Sequence, residues 1–124
     1  MYVKEVMKPA ITIDEDVSLE KLSELLHKQE ISSLIYMKGS KIKGIITEDD
    51  IIENYGKGVR ASQIMEKQVV TITTDTTIQG AARKMEKHKV SVLPVLENDK
   101  LVGIVSAKDL LPALREGGDE FILD

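Results

Sequence analysis

The feature that most constrains this chain is an internal repeat. Gly44-Ile45-Ile46-Thr47-Glu48-Asp49-Asp50 returns as Gly103-Ile104-Val105-Ser106-Ala107-Lys108-Asp109, an offset of 59 residues from Gly44 to Gly103. At that same offset Thr12-Ile13 matches Thr71-Ile72, Asp16 matches Asp75, Ser32 matches Ser91, Leu34 matches Leu93 and Lys41 matches Lys100. Met7 and Met65 lie 58 apart, so one residue is inserted between Met65 and Thr71. A repeat of this length means one supersecondary unit used twice. In each copy of the opening motif a glycine starts a short apolar run, a hydroxyl residue closes it, and an aspartate follows three positions later. The pattern reads as a buried strand entering a helix. It puts Thr47 and Ser106 at the strand's carboxyl end, where the backbone N–H groups of the next helix point outward.

The rest of each copy reads in the same order. Ile11-Thr12-Ile13 and Val69-Val70-Thr71-Ile72 are short first strands, followed by turns at Asp14-Glu15-Asp16 and Thr73-Thr74-Asp75. Leu19, Leu22, Leu25 and Leu26 recur at helical spacing, as do Ile78, Ala81, Ala82 and Met85. Ser18 and Thr77 are the expected N-caps. A hairpin follows. Ser33–Met37 turns through Lys38–Lys41 into Ile42–Ile46, and Val92–Leu96 turns through Glu97–Lys100 into Leu101–Val105. A second helix closes each copy after Thr47 and Ser106. Lys4–Met7 and Ala61–Met65 read as short helical leads, and the glycines of Tyr55–Arg60 mark the linker. The expected fold class is α/β (α+β), with βαββα repeats at residues 1–58 and 59–124. One copy is too small to bury both faces of its sheet, so the two sheets are expected to pack together about a pseudo-twofold axis, leaving two related clefts. The tail ends in Phe121-Ile122-Leu123, which should pack on this subunit or another.

Composition removes several function classes. Across 124 residues there is no cysteine, so disulfides, thiolate chemistry and cysteine-bound metals are excluded. A net charge of −4 with no Arg/Lys stripe argues against nucleic acid, and one Phe, three Tyr and no Trp leave few platforms for stacking bases. No apolar run approaches the ~20 residues of a membrane helix. The residues from Met1 to Glu5 carry no apolar signal segment, so a cytoplasmic location is expected. No nucleophile with a base partner and no phosphate-binding glycine loop is apparent, which argues against an enzyme.

Ordered and repeated in this way, the chain resembles a tandem pair of cystathionine-β-synthase (CBS) domains, a Bateman module. The matching residues are the Met near each copy's start, the Thr-Ile strand, the amphipathic helix, the segment Lys89-Val90-Ser91-Val92-Leu93-Pro94-Val95 and the Gly-x-x-Ser/Thr-x-x-Asp ending. The resemblance covers nearly all of residues 3–114. It implies binding of adenine nucleotides or related adenosyl ligands (AMP, ADP, ATP or S-adenosylmethionine) as regulators, with no cofactor required. It also implies a homodimer forming a flat disc of four repeats. In the family pattern the aspartate takes the ribose hydroxyls and the nearby hydroxyl residue faces phosphate. Here those positions are Asp50 with Thr47 and Asp109 with Ser106, with Ile45 and Ile104 as apolar walls for the base. A carboxylate can accept from both cis hydroxyls of a ribose. By the same resemblance each pocket draws on the other copy: Asp50 would work with Val69, Thr71, Val90, Val92 and Pro94, and Asp109 with Ala10, Thr12, Ile31, Ser33 and Ile35. Copy one departs from the pattern, with Leu34-Ile35-Tyr36 where copy two has Leu93-Pro94-Val95.

Each of these residues also has a plainer reading. A hydroxyl followed three residues later by an acid is a capping box, which serves only to start a helix. Lys89 is a candidate phosphate contact for the Asp50 cleft and equally a surface lysine at a helix end. Glu48-Asp49-Asp50 could suggest a metal, but copy two has Ala107-Lys108 there, and acids at a helix start favour its dipole in any case. His27 and His88 are 61 apart, not equivalent, and sit near helix ends. Two functions therefore stay open: a ligand-sensing regulatory module acting on a separate effector or through oligomerisation, and an interaction scaffold with empty clefts.

Overall fold

The computed structural model describes residues 1–116, and the apolar tail at residues 121–123 lies outside them. Two three-stranded sheets form, each with a parallel edge strand and an antiparallel hairpin. In the first repeat β1 (Thr12–Ile13) pairs parallel with β2 (Ser33–Lys38), which pairs antiparallel with β3 (Lys41–Thr47). Helix α1 (Leu19–Gln29) separates β1 from β2, and α2 (Glu48–Glu53) follows β3. The short α3 (Ala61–Ile64) lies in the connection to the second repeat. That repeat runs β4 (Ile72–Thr73), α4 (Ile78–His88), β5 (Val92–Glu97), β6 (Lys100–Ser106) and α5 (Ala107–Glu116), with the same pairing. The expected βαββα order is thus present twice. Both first strands are two residues long: β1 keeps Thr12–Ile13 of the expected Ile11–Ile13, while β4 pairs over Ile72–Thr73 and so ends one residue beyond the expected Val69–Ile72.

The helices start and bury as the pattern requires. Ser18 Oγ accepts from the Lys21 amide at 3.2 Å, and Thr77 Oγ1 accepts from the Gly80 amide at 3.0 Å. These bonds satisfy amides that the helix itself leaves unpaired. Helix α1 buries Leu19, Leu22 and Leu26, and α4 buries Ile78, Ala81 and Met85. The first set joins Ile13, Leu34, Ile46, Ile51 and Ala61 in one core. The second joins Val3, Ile72, Leu93, Val95, Val105, Leu110 and Ala113 in another. The two hairpins carry a register irregularity at the same point, between Tyr36 and Met37 and between Val95 and Leu96. Lys43 and Val102 are the extra residues, each just before the motif glycine.

The compact units do not follow the sequence repeats at their edges. One unit is Ile11–Val69; the other is Val70 onward together with Met1–Ala10. The leading segment of the chain, with a single 3-10 turn at Val3–Glu5 instead of an α-helical lead through Met7, therefore belongs to the second-repeat unit. Lys8 and Ile104 exchange backbone hydrogen bonds at 2.9 and 2.8 Å, and the Val3 amide donates to Thr76 O at 2.9 Å. The residues before β4 do the same for the first-repeat unit, where Ile45 and Glu66 exchange bonds at 3.0 and 2.8 Å. These crossings explain the motif glycines. A Cβ on Gly44 would stand 2.5 Å from Met65 Sδ, and one on Gly103 would stand 2.9 Å from Met7 Sδ and 3.0 Å from Lys8 O.

Candidate ligand site

Strand β3 ends at Thr47, and Asp50 is the third residue of the helix that follows. Its carboxylate turns back onto the strand end. Asp50 Oδ2 accepts from the Thr47 amide at 2.8 Å and from Thr47 Oγ1 at 3.2 Å. In the second repeat Asp109 Oδ2 accepts from the Ser106 amide at 2.8 Å and from Ser106 Oγ at 2.9 Å, while the Asp109 amide donates to Ser106 Oγ at 3.3 Å. The capping arrangement is therefore realised in both repeats. It occupies one carboxylate oxygen and leaves the other. Asp50 Oδ1 has no hydrogen-bond or ion-pair partner among the described residues. Asp109 Oδ1 does: Lys8 Nζ lies 2.7 Å away, the lysine side chain 70% exposed and the aspartate side chain 6% exposed. Burial pushes the Asp109 carboxyl up, but the Lys8 ammonium and the two Ser106 donors outweigh it and hold it below its ordinary 3.8.

Strand pairing places the other expected residues. In the first-repeat unit Ser33 sits opposite Thr47, and Ile35 sits between Thr12 on one side and Ile45 on the other. Ser33, Ile35 and Ile45 are buried, while Thr12 is exposed. In the second-repeat unit Val92 sits opposite Ser106 and Pro94 opposite Ile104. Pro94 is fully buried, and Val92 and Ile104 are half-buried. The Ile35 amide donates to Ile11 O at 3.1 Å. Proline has no such donor, so the exchange of Ile35 for Pro94 removes one bond to the edge strand.

The remaining candidates lie further out. Ile31 and Val90 follow the helix ends at matching places, their amides donating to Leu26 O and Met85 O at 3.0 Å each. Ile31 also lines a groove between α1 and α2 with Leu26, His27 and Ile51. Lys89 is exposed and left-handed, with φ 58°, and its amide closes α4 on the carbonyls of Glu86 and Met85. Thr71 O accepts from Lys84 Nζ at 2.8 Å. Ala10 and Val69 stand half-buried at the ends of their segments. Sequence reasoning offered Lys89 as a candidate phosphate contact for the Asp50 cleft and did not single out Lys8, which pairs with Asp109. The available signal was the break in the repeat after the methionines, Met7-Lys8 against Met65-Glu66.

Among the described residues no group of three His, Cys, Asp or Glu side chains could hold a metal ion, and no helix is long and apolar enough to cross a membrane.

Comparison with known proteins gives a consistent picture. The family model described as the CBS domain matches twice, over residues 3–57 and 61–116. A homoserine O-acetyltransferase of Methanohalobium evestigatum is 34% identical over 119 residues, which is 93% of this chain and 24% of that protein. An inosine-5′-monophosphate dehydrogenase of Korarchaeum cryptofilum is 31% identical over 106 residues, 85% of this chain and 22% of that protein. The chain thus spans about a quarter of the length of the curated relatives it matches. Among solved structures, a CBS domain pair in complex with 5′-methylthioadenosine and S-adenosyl-L-methionine matches with a TM-score of 0.84 at 30% identity, over 95% of this chain and 98% of that one. A hexameric CBS-CP12 protein from bloom-forming cyanobacteria matches with a TM-score of 0.82 at 25% identity, over 90% of this chain and 66% of that one.

Proposed function

Because this chain belongs to the CBS-domain family and carries two of its repeats in tandem, we propose that it is a regulatory module that senses adenosyl ligands and has no chemistry of its own. The observation that carries this reading is the doubled aspartate clamp. Each carboxylate commits only one oxygen to the strand end; the second is unpartnered among the described residues at Asp50 and ion-paired with the exposed Lys8 at Asp109, so capping and ribose binding are compatible. A solved domain pair of this family, 30% identical, holds 5′-methylthioadenosine and S-adenosyl-L-methionine. In the proposed sites Asp50 and Asp109 accept from ribose hydroxyls, and Thr47 and Ser106 face the phosphate or its replacement. Ile45 and Ile104 flank the base, together with the strand and pre-strand residues named above. AMP, ADP, ATP and S-adenosylmethionine are the candidate ligands. The protein would act in the cytoplasm, without a resident cofactor, on a separate effector or through its own assembly.

A thermal-shift panel of AMP, ADP, ATP, S-adenosylmethionine and NAD tests the ligand class, since a ligand of the native state raises the melting temperature. Asp50→Ala and Asp109→Ala should each weaken the best ligand by roughly 1.5–3 kcal/mol, about ten- to a hundredfold. Unchanged affinity in the double variant would remove ribose binding from these aspartates. The scaffold reading is favoured if both variants lose stability and no ligand in the panel shifts the native protein. We further propose a homodimer, supported by the exposed apolar side chains of Ile52, Tyr55 and Leu111. Light scattering that shows only monomer at about tens of micromolar counts against it.

A further inference from the structure

The two aspartate clamps are alike in backbone and unlike in charge. The segment entering the second-repeat unit pairs with Ile104 through Lys8, and the segment entering the first-repeat unit pairs with Ile45 through Glu66. Ile45 and Ile104 are equivalent in the repeat, so Lys8 and Glu66 occupy one structural position. Lys8 places its ammonium 2.7 Å from Asp109 Oδ1, the oxygen that capping leaves over. Glu66 can make no such pair with Asp50. Its carboxylate accepts from the Gln68 amide at 2.9 Å instead, and Asp50 Oδ1 stays without a partner among the described residues.

From this contrast we infer that the residue at this position sorts ligands by charge, with Lys8 directing phosphorylated adenosine to the Asp109 site and Glu66 directing uncharged or sulfonium adenosyl compounds to the Asp50 site. The inference rests on the adenosyl reading given above and deepens it. A ribose arriving at Asp109 competes with Lys8 for Oδ1. An uncharged nucleoside must break that ion pair and offers the ammonium nothing in return. A phosphorylated one supplies a replacement anion. Lys8 is a flexible point charge on an exposed four-carbon stem, so it can leave the aspartate for the phosphate while the ribose takes Oδ1. At Asp50 no cation has to be displaced. The carboxylate of Glu66 adds like charge against a phosphate and favours a positive or neutral group. Lys8 is thus a specificity-determining residue, and its ion pair with Asp109 is the resting state of a site waiting for an anion.

The test is calorimetric titration of the whole chain with AMP, adenosine and S-adenosylmethionine. Asp50→Ala leaves the Asp109 site to be read by itself, and Asp109→Ala leaves the Asp50 site. The Asp109 site should prefer AMP over adenosine by about tenfold or more, as expected for one additional charge-assisted hydrogen bond. Lys8→Glu should abolish that preference, and Glu66→Lys should create it at the Asp50 site. Lys8→Met removes the charge without adding repulsion and gives the same readout if Lys8→Glu does not fold. AMP-to-adenosine ratios that stay within about twofold of the native chain's in Lys8→Met and Glu66→Lys overturn the charge sorting. If ligands bind and depend on the aspartates while those ratios do not move, only this inference falls. If none of the probes binds the native chain, the adenosyl reading falls and takes this inference with it.

Discussion

Gly103 lies under a chain segment that reaches it from the far end of the sequence. An added Cβ would meet Met7 Sδ at 2.9 Å and the Lys8 carbonyl oxygen at 3.0 Å. The methionine can swing aside, but the carbonyl is held in a paired bridge to Ile104. Gly103→Ala should therefore cost about 1–3 kcal/mol in urea unfolding, the range for overpacking. Removing Met7 in the same chain should recover only part of that loss, and full recovery would place the clash on the side chain alone. Asp109 gives a pH prediction. Its folded carboxyl lies below 3.8, so the stability it contributes is complete above that value and is lost as the pH falls through the folded value. Asp109→Asn should flatten this part of the acid limb, and an unchanged limb would mean the Lys8 pair is not formed in solution. The capping role of the motif aspartate was legible in the repeat, but the reason for the motif glycine and the ion pair of Asp109 were not. In the second repeat both involve Met7 and Lys8, and no local pattern says which strand a leading segment will cross. Identity at the repeat offset can also mislead. Asp16 accepts from the Ser62 amide at 2.8 Å and from Ser62 Oγ at 2.6 Å, whereas its counterpart Asp75 bonds to Thr73.

At the scale of elements, starts were easier to read than ends. Ser18 and Thr77 announce α1 and α4 because N-caps need a particular side chain. The C-termini carry no glycine. Glu30 and Lys89 take the left-handed conformation, φ 54° and 58°, to close the two helices. For a residue with a Cβ that conformation costs roughly 1 kcal/mol. Glu30→Gly should therefore raise stability by about 0.5–1 kcal/mol, read as a higher urea midpoint, since glycine is at home in this position. A lower midpoint would show that the Glu30 side chain contributes more than the strain removes. The hairpin turns were legible from Gly39 and Asn98-Asp99, which do adopt positive φ. The irregularities at Lys43 and Val102 were not, because an extra residue in a strand leaves no mark in a short apolar run.

At the scale of the molecule, the two βαββα units were legible as a period, yet the spatial units trade their leading segments. Val3 is completely buried in the core of the second-repeat unit. Around it the Val3 amide bonds Thr76 O at 2.9 Å, the Ile78 amide bonds Met1 O at 3.1 Å, and Lys8 pairs with Ile104 and Asp109. A period cannot reveal this, because the repeat assigns Met1–Ala10 to the copy it precedes, while burial assigns it to the other. Deleting residues 1–10 should consequently weaken the second repeat, although the first is adjacent in sequence. Loss of Val3 alone forfeits about 1.5–3 kcal/mol of burial. That corresponds to roughly ten- to a hundredfold faster amide exchange for groups that open with this unit. Hydrogen exchange followed by mass spectrometry should show the acceleration over β5, β6 and α5, with α1, β2, β3 and α2 much less affected. Val3→Ala should give a weaker form of the same map in a chain of full length. Acceleration concentrated in α1 through α2 would instead return the leading segment to the repeat it precedes.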